Sequence, residues 1–374
     1  MPNLFSEFAL KDVRLKNRIA VSPMCQYSAT DGFSNDWHRV HLGSLATGGA
    51  GLVIAEATAV SPEGRITPGD TGLWNDAQAE AFRPITRFIE SQGAVPGIQL
   101  AHAGRKASAN RPWEGDDHLP PDHPKAWEPI APSALAFGAN LWRVPRAMTY
   151  EDIRRVREAF VAAARRALDT GFKWLVLHFA HGYLAQSFFS PLANQRTDDY
   201  GGSFENRARF LLETLAAVRA VWPEPLPLTA RLGVIDYVEG EQPLEESIEL
   251  IRRMKSAGLD LIDVSMGFNT PDVSRVPWHE HGFLVPIAHR IRREVGIPVA
   301  TSWNIFDPKK ADGFIRNEQL DLVMLAKALL DDPHWPYHAA QTLGLEMSQR
   351  VLPAQYGWWL KRQLKHVDAQ ETSR

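Results

Sequence analysis

The stretch Trp174-Leu175-Val176-Leu177-His178-Phe179-Ala180-His181-Gly182-Tyr183 decides how this chain is read. Its first four residues form an apolar run of strand length. Two imidazoles and a phenol then leave the tip of that strand close together. Histidine changes protonation near neutral pH, and either ring nitrogen can donate a hydrogen bond. Tyrosine adds a weak acid that can hand over a proton. Such a group suits holding a carbonyl-like oxygen while a neighbouring carbon is protonated. It would also suit a metal, so the rest of the chain has to arbitrate.

Working outward, the run is one of eight. Strands are expected at Arg18–Val21, Leu52–Ala55, Val95–Leu100, Trp174–His178, Leu228–Leu232, Leu261–Val264, Val299–Thr301 and Leu322–Leu325. Helical patterns lie between them, at His38–Thr47, Asp76–Gln92, Tyr150–Thr170, Phe204–Val221, Leu244–Ala257, Leu284–Val295, Pro308–Asn317 and Pro333–Leu343. Eight strands each followed by a helix make an α/β chain of the (β/α)8 TIM-barrel class. A doubly wound sheet would carry a Gly-rich phosphate turn after its first strand. Here that strand runs into Ser22-Pro23-Met24-Cys25-Gln26-Tyr27, and Gly48-Gly49-Ala50-Gly51 precedes a strand rather than opening a helix. The longest irregular region, about 102–149, follows strand three and reads as a loop subdomain. No linker divides the chain, so residues 1–374 are taken as one domain.

Composition narrows the classes. The chain has 374 residues, 44% hydrophobic and 23% charged, with a net charge of -3, so no basic footprint for nucleic acid is present. A single cysteine, Cys25, cannot form an internal disulfide and fits a reducing, cytoplasmic setting. The opening residues lack the layout of a secretory signal, and no apolar run approaches the ~20 residues of a membrane helix.

Barrel active sites lie at the C-terminal ends of the strands. Those ends deliver Pro23, Met24, Cys25 and Tyr27; Glu56, Ala57 and Thr58; Gln99, His102, Arg105 and Lys106; His178, His181 and Tyr183; Arg231; Ser265; Ser302, Trp303 and Asn304; Ala326 and Lys327. A hydrolytic metal barrel using His178 and His181 would want further carboxylates or histidines. This rim offers mostly amides, hydroxyls and cations, which match a heterocycle with a phosphate tail, the phosphate near strands seven and eight. Arg231 could neutralise charge on a reduced flavin ring, or pair with Glu56 or Asp263 as a structural ion pair. His38, His41, His102 and His118 carry no assigned role. Ser203 is a candidate helix N-cap behind the Gly201-Gly202 turn.

With these motifs in hand, the chain resembles the Old Yellow Enzyme family of FMN-dependent ene-reductases, in its bacterial class typified by xenobiotic reductase A. The likeness runs from Asn17 to Trp359. It is carried by Pro23–Tyr27, Glu56-Ala57-Thr58, Gln99–Arg105, His178–Tyr183 and Arg196–Ser203. It implies one non-covalent FMN, reduced by NADPH or NADH, and an activated alkene of an α,β-unsaturated carbonyl, or a nitro compound, as acceptor. By the same resemblance His178 and His181 hold the acceptor oxygen, Tyr183 supplies the proton, Cys25 modulates the flavin and Tyr27 helps hold substrate. Pro23, Met24, Ala57, Gln99, Arg231, Ser302, Trp303, Asn304, Ala326 and Lys327 would contact the cofactor, and Trp303 would wall the pocket. The resemblance also implies a homodimer or homotetramer, in which a C-terminal arm (about 350–374) inserts Trp358 or Trp359 into a neighbouring site. The family commonly has Gly-Arg after strand eight. Here Ala326-Lys327 stands there, a point charge in place of a bidentate fork. Without turnover, the same residues would make a non-catalytic FMN-binding barrel.

Overall fold

The computed structural model describes the backbone of residues 1–371 and the side chains of residues 1–363. Eight parallel strands close into a barrel: β1 (Ile19–Val21), β2 (Leu52–Ala59), β3 (Val95–Ala101), β4 (Trp174–Phe179), β5 (Leu228–Ile235), β6 (Leu261–Met266), β7 (Val299–Thr301) and β8 (Leu322–Leu325). β8 pairs in parallel with β1, through Val323–Ile19, Met324–Ala20 and Leu325–Val21, and so closes the ring. The helices between are α1 (Asp36–Thr47), α2 (Asp76–Ser91), α3 (Tyr150–Thr170), α4 (Phe204–Arg219), α5 (Leu244–Ser256), α6 (Val285–Val295), α7 (Pro308–Arg316) and α8 (Trp335–Thr342). The expected barrel is therefore the observed one.

Local chemistry explains the helices. α3 buries Ile153, Val156, Phe160, Ala163, Ala164 and Ala167, a stripe at three- and four-residue spacing. Thr149 caps its start by accepting from the Asp152 N–H, and Asp152 reaches back to the Thr149 N–H. Ser203 caps α4 by accepting from the Asn206 N–H, as expected.

Side-chain alternation sorts the core into two layers. Ile19, Val53, Leu175, Leu177, Ile262, Val299 and Val323 face the helices. Ala20, Leu52, Ile54, Trp174, Val176, Leu261, Ala300, Leu322 and Met324 fill the barrel interior. A hairpin of Phe8–Leu10 and Val13–Leu15 adds Phe8, Val13 and Leu15 to that interior cluster, beside the strand beginnings. Apolar packing thus occupies the N-terminal end. Continuing the period of two upward, the next inward positions are Ser22, Gln99, His178, Arg231, Asp263 with Ser265, Ser302 and Ala326.

β2 runs beyond the expected Ala55 to Ala59. Its register with β3 shifts between Ala55–Ile98 and Ala57–Gln99, a bulge that absorbs Glu56 as an extra residue and lets pairing continue. Glu56, Ala57 and Thr58 therefore lie on the strand rather than past it. The excursion after β3 holds short 3-10 turns at Gly104–Lys106 and Pro112–Glu114, and two-residue strands Ile130–Ala131 and Arg146–Ala147 paired in parallel. Three further helices follow no expected pattern: Leu184–Phe189, Lys327–Asp331 and Ala354–Glu371. All six residues of the first are buried, so it has no polar face to create a period. No described helix is long and apolar enough to cross a membrane.

Candidate active site

β4 ends in a turn that turns its three ring-bearing residues onto one another. His178 points inward as the last alternating position of the strand. The chain then reverses through His181 at φ 62° and Gly182 at φ 67°. The His178 ring centre lies 5.0 Å from those of both His181 and Tyr183, edge to face in each case. Three hydrogen bonds fix the reversal from outside. The His181 N–H donates to the Met266 carbonyl, and Lys106 Nζ donates to the carbonyls of His181 (2.8 Å) and Phe268 (2.9 Å). Lys106 thereby ties the β4 turn to the β6 turn. Burial, then the neighbouring Arg105, pushes its pKa down to about 7.

Hydrogen bonding assigns the ring protons. The Ala180 N–H donates to His178 Nδ1 at 3.4 Å, so the proton of a neutral His178 lies on Nε2. Ser265 is fully buried. Its hydroxyl accepts from Trp303 Nε1 at 3.0 Å and lies 2.8 Å from His181 Nε2. A buried hydroxyl has to place its own proton, and Nε2 is the acceptor within reach; His181 then carries its proton on Nδ1. Both rings are neutral, because burial and the Arg231 charge hold their pKa values well below the usual imidazole range. Each keeps one N–H not engaged by a described residue. Burial, with Cys25 and Asp70 nearby, holds the Tyr183 pKa well above its ordinary value, so the phenol stays protonated.

A cavity of about 280 Å³ opens beside this cluster, bordered by Pro23, His181, Arg231, Ser302, Trp303 and Lys327 among others. Arg231 crosses the barrel interior. It donates to Ser22 Oγ (3.2 Å) and Ser302 Oγ (2.7 Å), and its Nε lies 3.3 Å from Asp263 Oδ2. Of the two partners considered from sequence, Asp263 is the one used. Glu56 instead lies 3.3 Å from His38 Nε2 and accepts from the Gln26 N–H, which ties β2 to the loop bearing Cys25 and Tyr27. Gln99, inward and 1% exposed, has an Nε2 without a partner among the described residues. Cys25 is a free thiol whose pKa is raised by burial and by Asp70 and Glu56.

Most of the expected residues are brought together. Pro23, Arg231, Ser302, Trp303, Asn304, Ala326 and Lys327 line the cavity. The Asn304 amide is spent on the carbonyls of Trp278 and Glu280, so it braces the loop after β6. Gln99 pairs in register with Ala57. Met24, Cys25 and Tyr27 occupy the loop leading away from Pro23. Trp359 is not at this mouth: it is exposed and lines a separate surface groove with His334, Tyr337, Leu352 and Tyr356. Trp278 and Phe283, missed in the sequence, wall the cavity, and Phe268 lies 5.9 Å from the His181 ring. Their signal was an aromatic-rich segment after β6, 268–283. No cluster of three or more His, Cys, Asp or Glu suited to a metal occurs among the described residues, which leaves the hydrolase reading without a ligand set. His38 caps α1, while His118 accepts from the Arg143 N–H, both structural duties.

Comparison with known proteins identifies the family. The model of the NADH:flavin oxidoreductase / NADH oxidase family matches residues 3–346. The NADPH dehydrogenase of Geobacillus sp. (strain WCH70) is 42% identical over 359 residues, covering 95% of this chain and 98% of that protein. The NADPH dehydrogenase of Listeria innocua is 42% identical, covering 92% and 96%. Among solved structures, morphinone reductase in complex with tetrahydroNAD superposes with a TM-score of 0.76 at 26% identity, covering 92% of both chains. A 2-naphthoyl-CoA reductase complex gives 0.82 at 26% identity; this chain covers 91% of its own length and about half (52%) of that protein.

The β4 turn leaves no room at residue 182. A Cβ there would lie 2.2 Å from the Phe268 carbonyl, in a backbone conformation that side chains avoid. Gly182→Ala is expected to destabilise the protein by roughly 2–4 kcal/mol, from the positive φ and the clash together. Urea denaturation measures this, and a midpoint equal to that of the parent would refute the tight turn.

Proposed function

Because the chain belongs to the NADH:flavin oxidoreductase / NADH oxidase family, that of Old Yellow Enzyme, and is an FMN-dependent NADPH dehydrogenase, we propose that its acceptor is an activated alkene, reduced beside His178, His181 and Tyr183. The cavity suits FMN. It combines an apolar wall at Pro23, an inward cation at Arg231, hydroxyls at Ser302 and Ser22, and Lys327 at its edge. The unpartnered Gln99 Nε2 is a buried donor that calls for an acceptor, such as a polar ring edge. Pro23, Met24, Cys25, Ala57, Gln99 and Arg231 would hold the ring system and ribityl chain. Ser302, Ala326 and Lys327, with the backbone at Trp303 and Asn304, would hold the phosphate end. When bound, FMN would supply two-electron hydride carriage between NADPH or NADH and the acceptor.

The chain's own groups supply the rest. The Nε2–H of His178 and the Nδ1–H of His181 donate to the acceptor's carbonyl or nitro oxygen. They draw negative charge onto that oxygen and leave the β-carbon electron-poor. As charge develops there, fixed donors in a buried site stabilise it more than water would. Tyr183 keeps its proton until the α-carbon becomes basic and then transfers it. Tyr27, on the loop after β1, would help hold the acceptor. Trp303, fixed through Ser265, limits the width of the pocket. The exposed Trp358–Trp359 pair, ring centres 4.6 Å apart, suits insertion of the C-terminal arm into a second copy of the chain. The observation that carries this reading is the edge-to-face cluster of His178, His181 and Tyr183, in which each imidazole has one ring nitrogen without a partner among the described residues.

Three outcomes follow. Tyr183→Phe should leave flavin reduction by NADPH unchanged and slow enone reduction by roughly 10²-fold or more, the usual worth of a positioned general acid. Stopped-flow measurement of the two half-reactions decides it, and equal rates for enone reduction would assign the proton elsewhere. His178→Ala should weaken binding of a phenol, an analogue of the oxyanion, by about 10- to 100-fold, read from its charge-transfer band. An unchanged affinity would remove His178 from the oxygen site. Lys327→Ala should weaken FMN retention by about tenfold in ultrafiltration, the scale of one charge-assisted contact. Retention equal to that of the parent would place the phosphate away from Lys327.

A further inference from the structure

A second cavity, about 380 Å³, lies on the same face of the barrel. It is built by the loops after β1, β2 and β3, through residues 29–31, 65–68 and 111–127. Arg65, Arg111 and Lys125 converge on it, against a single lining carboxylate, Asp31. Arg65 is the built element. Its guanidinium carbon lies 4.8 Å from the Trp127 ring centre and 5.4 Å from that of Trp74. Its Nε donates to the Pro62 carbonyl at 2.9 Å. Trp127 is itself fixed by donating to the Glu63 carbonyl at 3.0 Å. The plane of the guanidinium is therefore set, and neither Nη has an acceptor among the described residues. Neither Arg65 nor Lys125 has an ion-pair partner there either, whereas Arg111 pairs with Glu114 at 3.2 Å. A stacked, half-buried guanidinium with a free fork is the geometry that grips phosphate oxygens.

The two cavities are joined by one short segment. Pro23 borders the first and Ala29 the second, six Cα steps apart, so these borders are at most about 22 Å from each other. Cys25 and Tyr27 lie between them. A Cβ placed on Gly69 would touch both the Tyr27 carbonyl (2.3 Å) and Arg111 Nε (2.9 Å), so the cationic wall stands directly behind the Tyr27 loop. A long, phosphate-bearing molecule could occupy both cavities at once.

We propose that this second cavity takes the phosphates of the dinucleotide donor, with Arg65 and Lys125 gripping them while the nicotinamide end reaches the cavity beside His181. The inference rests on the donor half-reaction and is independent of the acceptor proposed above. Arg65→Gln and Lys125→Gln should each raise the apparent Kd for NADPH by about tenfold in anaerobic stopped-flow reduction of the holoenzyme, with the limiting rate unchanged. N-benzyl-1,4-dihydronicotinamide, a donor without phosphate, should reduce both variants as fast as the parent. Lys125 is exposed, so its replacement leaves the packing intact and keeps the test open should Arg65→Gln disturb the fold. A rise confined to NADPH assigns the 2′-phosphate, and a rise shared with NADH assigns the diphosphate. An unmoved NADPH Kd, or an equal loss with the phosphate-free donor, overturns the proposal.

Discussion

In a closed parallel barrel each strand has two directions for its side chains, into the ring or out to the helices, and this restriction governs what the mouth presents. At the N-terminal end the inward positions are Leu52, Trp174, Leu261 and Leu322, apolar and sealed by the hairpin. One or two pleats higher, the same inward rows carry Gln99, His178, Arg231, Asp263 and Ser265, all buried. The molecule thus changes from oil-like to polar along its own axis within the length of a strand. No separate domain is needed to make a site, since the interior becomes one where the apolar rows stop.

That change of polarity brings charge into a poorly solvated place, and the structure shows how it is held there. Arg231 meets Asp263 together with two hydroxyls, so a cation is kept inward without being left alone. Burial raises the Asp263 pKa and Arg231 opposes the rise, as expected for two groups that depend on each other. Lys106 is treated differently. Its donors go to backbone carbonyls of two adjoining turns, and its ammonium lies 4.0 Å from the centre of the Phe137 ring. One cation faces the cavity and the other holds its rim.

Much of this was legible in the sequence because it depends on local pattern. Eight apolar runs separated by amphipathic stretches fix the barrel, and the tip of β4 announces its imidazoles and phenol. What stayed hidden depends on tertiary contact. The bulge at Glu56 depends on pairing with β3, and no local sequence rule demanded it. The helix at Leu184–Phe189 is buried all round and so carries no amphipathic period. Trp278 and Phe283 reach the cavity from an irregular loop, where residue type alone gives no direction. The choice of Asp263 over Glu56 as partner to Arg231 follows from the register: both lie within strands, but Asp263 sits opposite Arg231 in the β5–β6 pairing.

The division of labour proposed for the β4 turn rests on where protons can reside. Arg231 and Lys106 both depress the imidazole pKa values, so a proton added to either ring would face two cations in a buried site. A neutral imidazole has one N–H, and it serves the cavity only if the other nitrogen is occupied. The Ala180 amide and the Ser265 hydroxyl do this for His178 and His181 respectively. A neutral ring so arranged stabilises an oxygen anion by donation while remaining a very poor acid. In the function proposed above, the proton for carbon comes from a group that is protonated at rest yet able to release it, and among the three side chains of the turn that is Tyr183. Burial raises its pKa and thereby guards against premature loss, and a newly formed carbanion is basic enough to overcome that rise. The proposed roles, two donors that hold and one acid that gives, are thus compatible with a single electrostatic environment set by Arg231, Lys106 and burial.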